Sequence, residues 1–229
     1  MGPDVTPEPA GADAQARPSA AGDVPGAGPT TATAQRILLV YATRHGSTVE
    51  VAEAIAEELR ACGDEVDLRP PAEAPGPAGY DAVVVGGPMI MGWHRAAARY
   101  AKQHRDALAA VPFALFITAA SLTEDGADEV GGVPVAKDPW LVKAPRNAGK
   151  LRRKERYALP TNYLSDVQKA CAPARPRSVA FFAGSLDLTT MNILEKLFVL
   201  LVIGATPGDG RHWDFVREWA EGLGEALAP

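Results

Sequence analysis

A run of five apolar residues, followed at once by a polar turn and an amphipathic segment, constrains the fold more than any other feature. Residues 37–41 read Ile-Leu-Leu-Val-Tyr, and such an uninterrupted apolar run is typical of a strand covered on both faces of a parallel sheet. Apolar residues then recur at helical spacing from Val49 to Leu59, and Cys62-Gly63 ends the segment. This pattern predicts the first strand and the first helix of an α/β fold.

The alternation of strand and helix continues through most of the chain. We expect a short edge strand, three more buried strands and two more helices, at residues 65–68, 80–86, 112–117, 178–184, 96–109 and 213–227. The order predicts a doubly wound α/β fold with a five-stranded parallel sheet, helices on both faces and right-handed crossovers. Ligands bind beyond the carboxyl ends of the strands in such sheets, so the loops after Tyr41, Val85 and Ile117 form the candidate site.

A long excursion interrupts this alternation before the last strand. Residues 121–177 are rich in Pro, Gly and charged side chains and contain the basic cluster Arg152, Arg153, Lys154 and Arg156. A structureless loop of that length is uncommon inside a domain. We therefore expect the excursion to hold one short helix, near residues 161–170.

The first 34 residues differ in composition from the rest. They are mostly Ala, Gly, Pro and Thr, and such a segment has little apolar surface to offset the entropy of ordering its backbone. We expect a disordered tail at 1–34 and one domain at 35–229. The tail carries one arginine against four acidic residues, which argues against an organellar transit peptide.

Charge and composition exclude several classes of protein. The 23 basic and 28 acidic side chains give a formal net charge of −5, which argues against a nucleic-acid partner, since phosphate binding needs a basic face. Two cysteines do not make a disulfide framework, and no metal site is predicted. Because no apolar run approaches the roughly 20 residues that span a bilayer, a cytoplasmic protein is expected.

The first candidate loop reads Thr43-Arg44-His45-Gly46-Ser47-Thr48. Its hydroxyl groups can donate to phosphate oxygens, Gly46 lets the backbone approach closely, and the N–H groups at the start of the following helix face an anion. The pattern favours a monophosphate. The alternative is an ordinary helix cap, with Ser47 or Thr48 as the capping residue and no ligand.

This loop resembles the flavodoxin phosphate loop, Thr/Ser-x-Thr-Gly-x-Thr, with His45 in place of the middle hydroxyl residue. Over residues 36–227 the chain is similar in order and spacing to the menaquinone-dependent protoporphyrinogen dehydrogenases, which are flavodoxin-like proteins. The likeness rests on residues 41–48, Gly92-Trp93-His94, residues 181–186 and a helix at 192–198. The resemblance implies FMN as cofactor, oxidation of protoporphyrinogen and electron transfer to a membrane quinone.

The resemblance also implies which residues surround the flavin ring. In the second loop the cofactor-binding candidates are Gly87, Pro88, Met89, Met91, Gly92 and Trp93. Met91 or Trp93 can shield a face of the ring, although Trp93 can equally fill the core. In the third loop Thr118, Ala119 and Ala120 offer backbone groups to the pyrimidine edge.

Three further features have two interpretations each. His94 is the candidate proton carrier, because imidazole titrates near neutrality; the alternative is a structural histidine. The basic cluster can bind porphyrin propionates or anionic lipid, or it can be a charged loop in solvent. The apolar stretch at 194–203 can pack on the sheet or contact a quinone-bearing membrane peripherally.

Three functions are consistent with these observations. The first is an FMN-dependent oxidoreductase of the protoporphyrinogen dehydrogenase type, with a porphyrinogen or a quinone as its small-molecule substrate. The second is a flavodoxin-type electron carrier without a substrate of its own. The third is a binding module that has kept the fold and lost the cofactor.

Overall fold

The first strand and helix lie where the sequence predicts them in the computed structural model, which describes residues 34–90, 92–147, 149–186 and 208–228. Strand β1 is Arg36–Tyr41, and the four apolar side chains at its centre are fully buried. Helix α1 is Ser47–Ala61 and places Val51, Ile55 and Leu59 in the core. Gly63 follows it with a φ of +103°, a left-handed conformation that glycine adopts at helix ends.

The remaining elements are numbered in chain order. The other strands are β2 Glu65–Arg69, β3 Ala82–Met89, β4 Phe113–Ala119, β5 Leu122–Thr123, β6 Glu129–Val130, β7 Val133–Lys137, β8 Val142–Lys143, β9 Ser178–Ala183, β10 Ser185–Leu186 and β11 Gly208–Asp209. The other helices are α2 Arg95–Gln103, α3 Arg105–Leu108, α4 Arg153–Tyr157, α5 Pro160–Cys171 and α6 Trp213–Ala226.

The predicted fold class is confirmed. Five parallel strands pair in the order β2-β1-β3-β4-β9. This is the doubly wound order, in which β2 is added on one side of β1 and the later strands are added on the other. Helices α1 and α6 pack on one face of the sheet, and α2 and α5 pack on the other. Each face thus has its own layer of buried side chains.

The sheet is wider than the five strands expected. Within the described residues it has seven, because β7 pairs in parallel with β9 and β6 pairs antiparallel with β7. Both added strands come from the excursion, where a single short helix was expected. The excursion does hold that helix, as α5, together with α4 and four short strands. Val133 and Val135 are buried on one side of β7, as alternate residues of a strand are. The pairing of β7 covers the edge of β9, which would otherwise be exposed.

Strands β3 and β4 extend further than predicted. Gly86 pairs with Phe116, and Met89 pairs with Ala119, so residues 87–89 and 118–119, expected to be loop, are strand. Glycine is uncommon inside strands, which is why β3 was expected to end at Gly86. A Cβ atom on Gly86 would lie 1.9 Å from the ring of Phe116, so this glycine makes room for a core aromatic side chain.

The predicted helix at 96–109 is divided at His104 into α2 and α3; the residues around His104 include neither Gly nor Pro to signal the break. Three other predictions lie outside the described residues: the tail, apart from Ala34, the helix at 192–198 and the apolar stretch at 194–203. In the part of the chain that is described, no helix has both the length and the apolar character to cross a membrane.

Candidate functional site

The first loop ends at an uncapped helix N-terminus. Gly46 is the N-cap residue of α1, with a φ of +91°, and no side chain caps the helix. The alternative in which Ser47 or Thr48 caps α1 is therefore wrong. The N–H of Gly46 donates instead to Oγ1 of Thr43, at 3.0 Å. The first N–H groups of a helix have no partner in the regular helical pattern. In α1 the N–H of Val49 donates to the carbonyl oxygen of Gly46 at 2.9 Å, and those of Ser47 and Thr48 remain for an anion.

A buried pair of hydroxyl groups joins the first loop to the third. Oγ1 of Thr48 and Oγ1 of Thr118 lie 3.1 Å apart, and both side chains are buried. One hydroxyl donates to the other, which leaves the second hydroxyl proton free to donate elsewhere. The two predicted site residues are therefore adjacent, although 70 positions separate them in the sequence.

An arginine that no sequence motif indicated holds the start of α1. The guanidinium of Arg211 donates to both carboxylate oxygens of Asp209, pairs with Glu50 at 2.8 Å, and reaches the carbonyl oxygen of Ser47 at 3.5 Å. Glu50 lies in the first turn of α1, where its negative charge would repel a phosphate. Arg211 offsets one of the two negative charges that it contacts, those of Glu50 and Asp209. It lies 164 residues from Ser47, and no local pattern connects the two.

The second loop folds back on the end of β3. Met89 and Trp93 are buried and form an isolated β-bridge, and the N–H of His94 donates to the carbonyl oxygen of Pro88. Gly92 has a φ of +103°, which makes the reversal between them possible. Met91 lies outside the described residues. The turn thus fixes Gly92 at the carboxyl edge of the sheet.

Trp93 lies in the core beside Gly87. A Cβ atom on Gly87 would be 3.4 Å from Nε1 of Trp93 and 3.3 Å from Cβ of Ala97, so the indole fills the space that this glycine leaves. The indole N–H is buried and has no hydrogen-bond partner among the described residues. This position favours the core-filling interpretation of Trp93 over a stacking role.

His94 caps α2. Its Nδ1 accepts a hydrogen bond from the N–H of Ala96 at 3.3 Å, so the neutral ring carries its proton on Nε2. Burial, helped by the positive charge of Arg44, lowers the pKa of His94 below 6.5. The cap accounts for this histidine without catalysis, and its role as a proton carrier stays a prediction.

The other predicted site residues line the same edge of the sheet. Arg44 and Ala120 are exposed, and His45 is half-buried. Ala119 is buried, and its carbonyl oxygen accepts a hydrogen bond from the N–H of Gly184 at 3.0 Å. The three loops therefore meet where the fold predicts a ligand.

The excursion contributes a residue to this edge that sequence reasoning also missed. The hydroxyl oxygen of Tyr157, at the end of α4, accepts a hydrogen bond from the N–H of Gly92 at 2.7 Å. The ring of Tyr157 packs edge-on against Tyr163 and remains 43% exposed. Burial raises the pKa of Tyr157, so its hydroxyl keeps its proton near neutral pH. Tyr157 thus connects the excursion to the second loop.

The basic cluster lies on α4 and just before it. Glu155 accepts hydrogen bonds from the N–H groups of Arg152 and Arg146, which lower the pKa of its carboxyl group. The residues around this carboxylate, Arg146, Asn147, Lys150, Leu151 and Arg152, line a cavity of about 450 Å³. Of the basic cluster, Arg152 lines this cavity, and the other basic side chains in its lining are Arg146 and Lys150.

The profile of the flavodoxin domain matches residues 38–211, which is most of the chain. The chain belongs to the flavodoxin-domain family. FMN is accordingly its cofactor, and redox electron transfer is its general role. None of the curated proteins matches the chain.

Solved structures of flavin proteins show similarity at low identity. A flavodiiron protein from Giardia intestinalis matches at 11% identity with a TM-score of 0.43, over 85% of this chain and 38% of that one. Rubredoxin oxygen:oxidoreductase from Desulfovibrio gigas matches at 13% with a TM-score of 0.42, over 84% and 36%. Reduced Megasphaera elsdenii flavodoxin matches at 12% with a TM-score of 0.43, over 82% and 98%. This chain thus spans little more than a third of the length of the first two proteins.

The residues of the first loop fit the phosphate of FMN. Gly46 leaves open space where a side chain would stand, α1 begins without a cap, and Thr43 and Ser47 carry hydroxyl groups beside that helix start. A neutral set of N–H and hydroxyl donors at a helix N-terminus is the chemistry that a phosphate monoester needs. Residues 43–48 would therefore hold the phosphate, with the ends of β3 and β4 beside the ring.

Proposed function

We propose that this flavodoxin-domain protein is an FMN-dependent oxidoreductase that passes electrons from a planar organic substrate to a quinone, as protoporphyrinogen dehydrogenases do. The observation that carries the proposal is the hydrogen bond from Gly92 to Tyr157. Through it, the excursion attaches beside the loop that covers one side of the flavin in this family. An electron carrier does not need an extra segment beside the flavin. An enzyme does need one, because it must hold its substrate against the cofactor.

FMN supplies the redox chemistry, and the protein supplies position and electrostatics. In this proposal residues 43–48 bind the phosphate, and Arg211 holds the start of α1 through Ser47 and Glu50. Gly92 and Tyr157 form one side of the substrate site. The half-exposed phenol ring of Tyr157 offers a planar substrate an aromatic contact.

The basic cavity beside α4 fits the same proposal. Arg146, Lys150 and Arg152 line the cavity next to α4, and guanidinium groups pair with carboxylates in a fork. We assign this surface to the acidic substituents of the substrate or to the anionic headgroups of a membrane that holds the quinone. The second use would bring the protein to the periphery of a membrane, whereas the first needs no membrane contact.

A flavodoxin-type electron carrier is the second candidate. The family match favours it. Carriers meet basic partner proteins through strongly acidic surfaces, however, and a net charge of only −5 over the whole chain fits that function poorly. The basic cavity beside α4 fits that function poorly. The two candidates differ in one outcome, which is whether small molecules alone support turnover.

The test is anaerobic mixing of the FMN-loaded protein with protoporphyrinogen and a soluble menaquinone analogue, with porphyrin fluorescence as the readout. We expect porphyrin to form without any partner protein, and the Tyr157→Phe variant to raise KM more than it lowers kcat. Gly46→Asp, which places a negative charge in the phosphate loop, is the control without cofactor. If FMN stays bound and no porphyrin forms, protoporphyrinogen is excluded as the substrate and the electron-carrier function is favoured.

A further inference from the structure

Helix α2 presents a row of basic side chains to solvent. Its nine residues include Arg95, Arg99 and Lys102 and no acidic residue. Positions i, i+4 and i+7 lie on one face of a helix, and all three of these residues are exposed. The opposite face of α2 is apolar and packs in the core. Arg95, Arg99 and Lys102 are called the α2 basic row below.

The protein does not neutralise this row. Among the described residues, none of the three side chains forms an ion pair or a hydrogen bond. Helix α3 adds Arg105, which is exposed and lies 3.9 Å from the carboxylate of the neighbouring Asp106. Positive charges that are left unpaired on a surface are available to an acidic partner, because complementary charge orients such a partner as it approaches.

The two faces of the sheet differ in charge. On the face opposite α2, helices α1 and α6 together hold eight acidic and two basic side chains. On the same face as α2, helix α5 holds Asp166 and Lys169, which pair with each other at 3.5 Å. The net charge of −5 therefore conceals a basic surface on the side of α2.

The row begins at the second loop of the FMN site. Arg95 is the first residue of α2 and follows His94, whose N–H donates to the carbonyl oxygen of Pro88 in β3. Arg44 of the first loop is close enough for its positive charge to lower the pKa of His94, together with burial. At 1.5 Å per residue, α2 extends about 13 Å away from this edge of the sheet. A partner on the row thus also lies beside the loops expected around FMN.

We infer that the α2 basic row is a docking surface for an acidic electron-transfer protein. Encounters between redox proteins bury small areas and depend on complementary charge for their rate and orientation. Three unpaired cations beside the flavin loops supply that charge at the place where it is needed. The docking surface goes beyond the function proposed above, which needs only small molecules, and it depends on FMN rather than on the identity of the substrate.

A membrane is the other anionic partner, and α2 suits it less well. A helix that lies on a bilayer buries an apolar face in it, whereas the apolar face of α2 is buried within this protein. The large apolar side chains that are exposed in the described part of the chain, Trp140 and Tyr157, both lie outside α2. The row therefore offers charge without an apolar anchor, which favours a protein partner.

The probe is plant-type ferredoxin, a small acidic redox protein, and cytochrome c is the matched basic redox protein. Binding of each to the FMN-loaded, ¹⁵N-labelled full chain is followed by NMR, with the shifted amides as the footprint. We expect ferredoxin to shift the amides of α2 and of Gly92, and cytochrome c to leave them unchanged. Raising the salt from about 0.01 M to about 0.1 M shortens the Debye length from about 30 Å to about 10 Å, so ferredoxin should bind at least about tenfold more weakly.

Arg99→Glu and Arg217→Glu make the same charge change on opposite faces of the sheet. Arg99 is exposed on α2, and Arg217 is exposed on α6. At about 0.1 M salt, where distant charges are screened, Arg99→Glu should weaken ferredoxin binding about fivefold or more, because it reverses a charge in the contact. Arg217→Glu should leave the affinity within about twofold, since it lies outside the contact. Arg99→Lys keeps the charge and should bind as the wild-type protein does.

Several results would overturn the proposal. They are equal losses in Arg99→Glu and Arg217→Glu, a ferredoxin footprint on α4 or α6, and an affinity that does not change with salt. A membrane is indicated instead if ferredoxin leaves no footprint while vesicles of phosphatidylcholine and phosphatidylserine bind the protein through Arg99. Porphyrin formation tests the proposed function separately, because it is measured without a partner protein and its outcome does not alter ferredoxin binding.

Discussion

Oγ1 of Thr48 and Oγ1 of Thr118 lie 3.1 Å apart in the protein interior. Thr48 belongs to the first turn of α1, and Thr118 belongs to the end of β4. This hydrogen bond fixes the phosphate-binding loop relative to the loop expected beside the pyrimidine edge of the flavin. The spacing of two parts of the cofactor site therefore depends on one pair of hydroxyl groups.

Breaking this pair should destabilise the protein in a non-additive way. Thr48→Val or Thr118→Val keeps the shape and leaves the remaining hydroxyl buried without its partner, which costs about 1–3 kcal/mol. The double variant removes both hydroxyls, so it should cost less than the sum of the single variants. Urea unfolding of the four proteins measures the coupling, and strictly additive losses would show that the hydroxyls do not interact.

Gly46 and Gly63 provide a matched pair for testing the phosphate loop. Both have positive φ, at +91° and +103°, and a Cβ atom added to either would have no neighbour within 4 Å. Alanine at either position should cost about 1–2 kcal/mol of stability through backbone strain. Only Gly46→Ala should also weaken FMN binding, by about tenfold or more in calorimetry. Equal FMN affinities for the two variants would place the phosphate elsewhere.

Local patterns in the sequence were enough to predict most of the fold. The apolar run at 37–41 and the helical spacing from Val49 to Leu59 depend on neighbouring residues, and both elements form as expected. Strand β7 was not predicted, because its pairing with β9 depends on residues more than 40 positions away; β6 in turn pairs with β7. The signal for β7 was the alternation of Val133 and Val135, which a segment rich in Pro and Gly obscured.

The glycines of β3 should differ sharply in their tolerance of a methyl group. A Cβ atom on Gly86 would overlap the buried ring of Phe116 at 1.9 Å, whereas one on Gly87 would meet its nearest neighbour at 3.3 Å. Gly86→Ala should therefore cost about 3 kcal/mol or more through overpacking, and Gly87→Ala about 1 kcal/mol. Thermal unfolding measures both, and similar losses for the two variants would contradict the assignment of Gly86 to core packing.

The cap on α2 should make stability depend on pH. The pKa of His94 in the folded protein lies below the 6.5 of an exposed histidine, so the unfolded chain takes up the proton first as pH falls. The stability that neutral His94 contributes is complete above about pH 6.5 and is lost as the pH falls through the folded pKa. A protonated Nδ1 also cannot accept from Ala96.

The matched variant is His94→Asn, which can still cap the helix and does not titrate. Between pH 7.5 and pH 5.5 the wild-type protein should lose more unfolding free energy in urea than this variant loses. His104, whose pKa burial also lowers, contributes equally to both proteins and cancels in the comparison. Identical losses would mean that His94 titrates as it does in the unfolded chain.

The sequence predicted the part of the candidate site whose residues are neighbours in the chain, and it did not predict the part contributed by distant residues. Residues 43–48 form one continuous motif, and they lie at the helix start that the motif requires. Tyr157 and Arg211 reach the same edge of the sheet from distant parts of the chain. Their types carry no signal by themselves, since tyrosines and arginines are common on any surface. Only the fold brings them to Gly92 and Ser47, in the loops that they contact.

The central claim is that residues 43–48 hold the phosphate of FMN, and the most direct test compares FMN with riboflavin in calorimetry. The two ligands share the ring and differ only in the phosphate, whose charged hydrogen bonds contribute about 1.5–3 kcal/mol each. We expect FMN to bind at least about a hundredfold more tightly than riboflavin, and Gly46→Asp to remove this difference. Equal affinity for the two ligands in the wild-type protein would contradict the account.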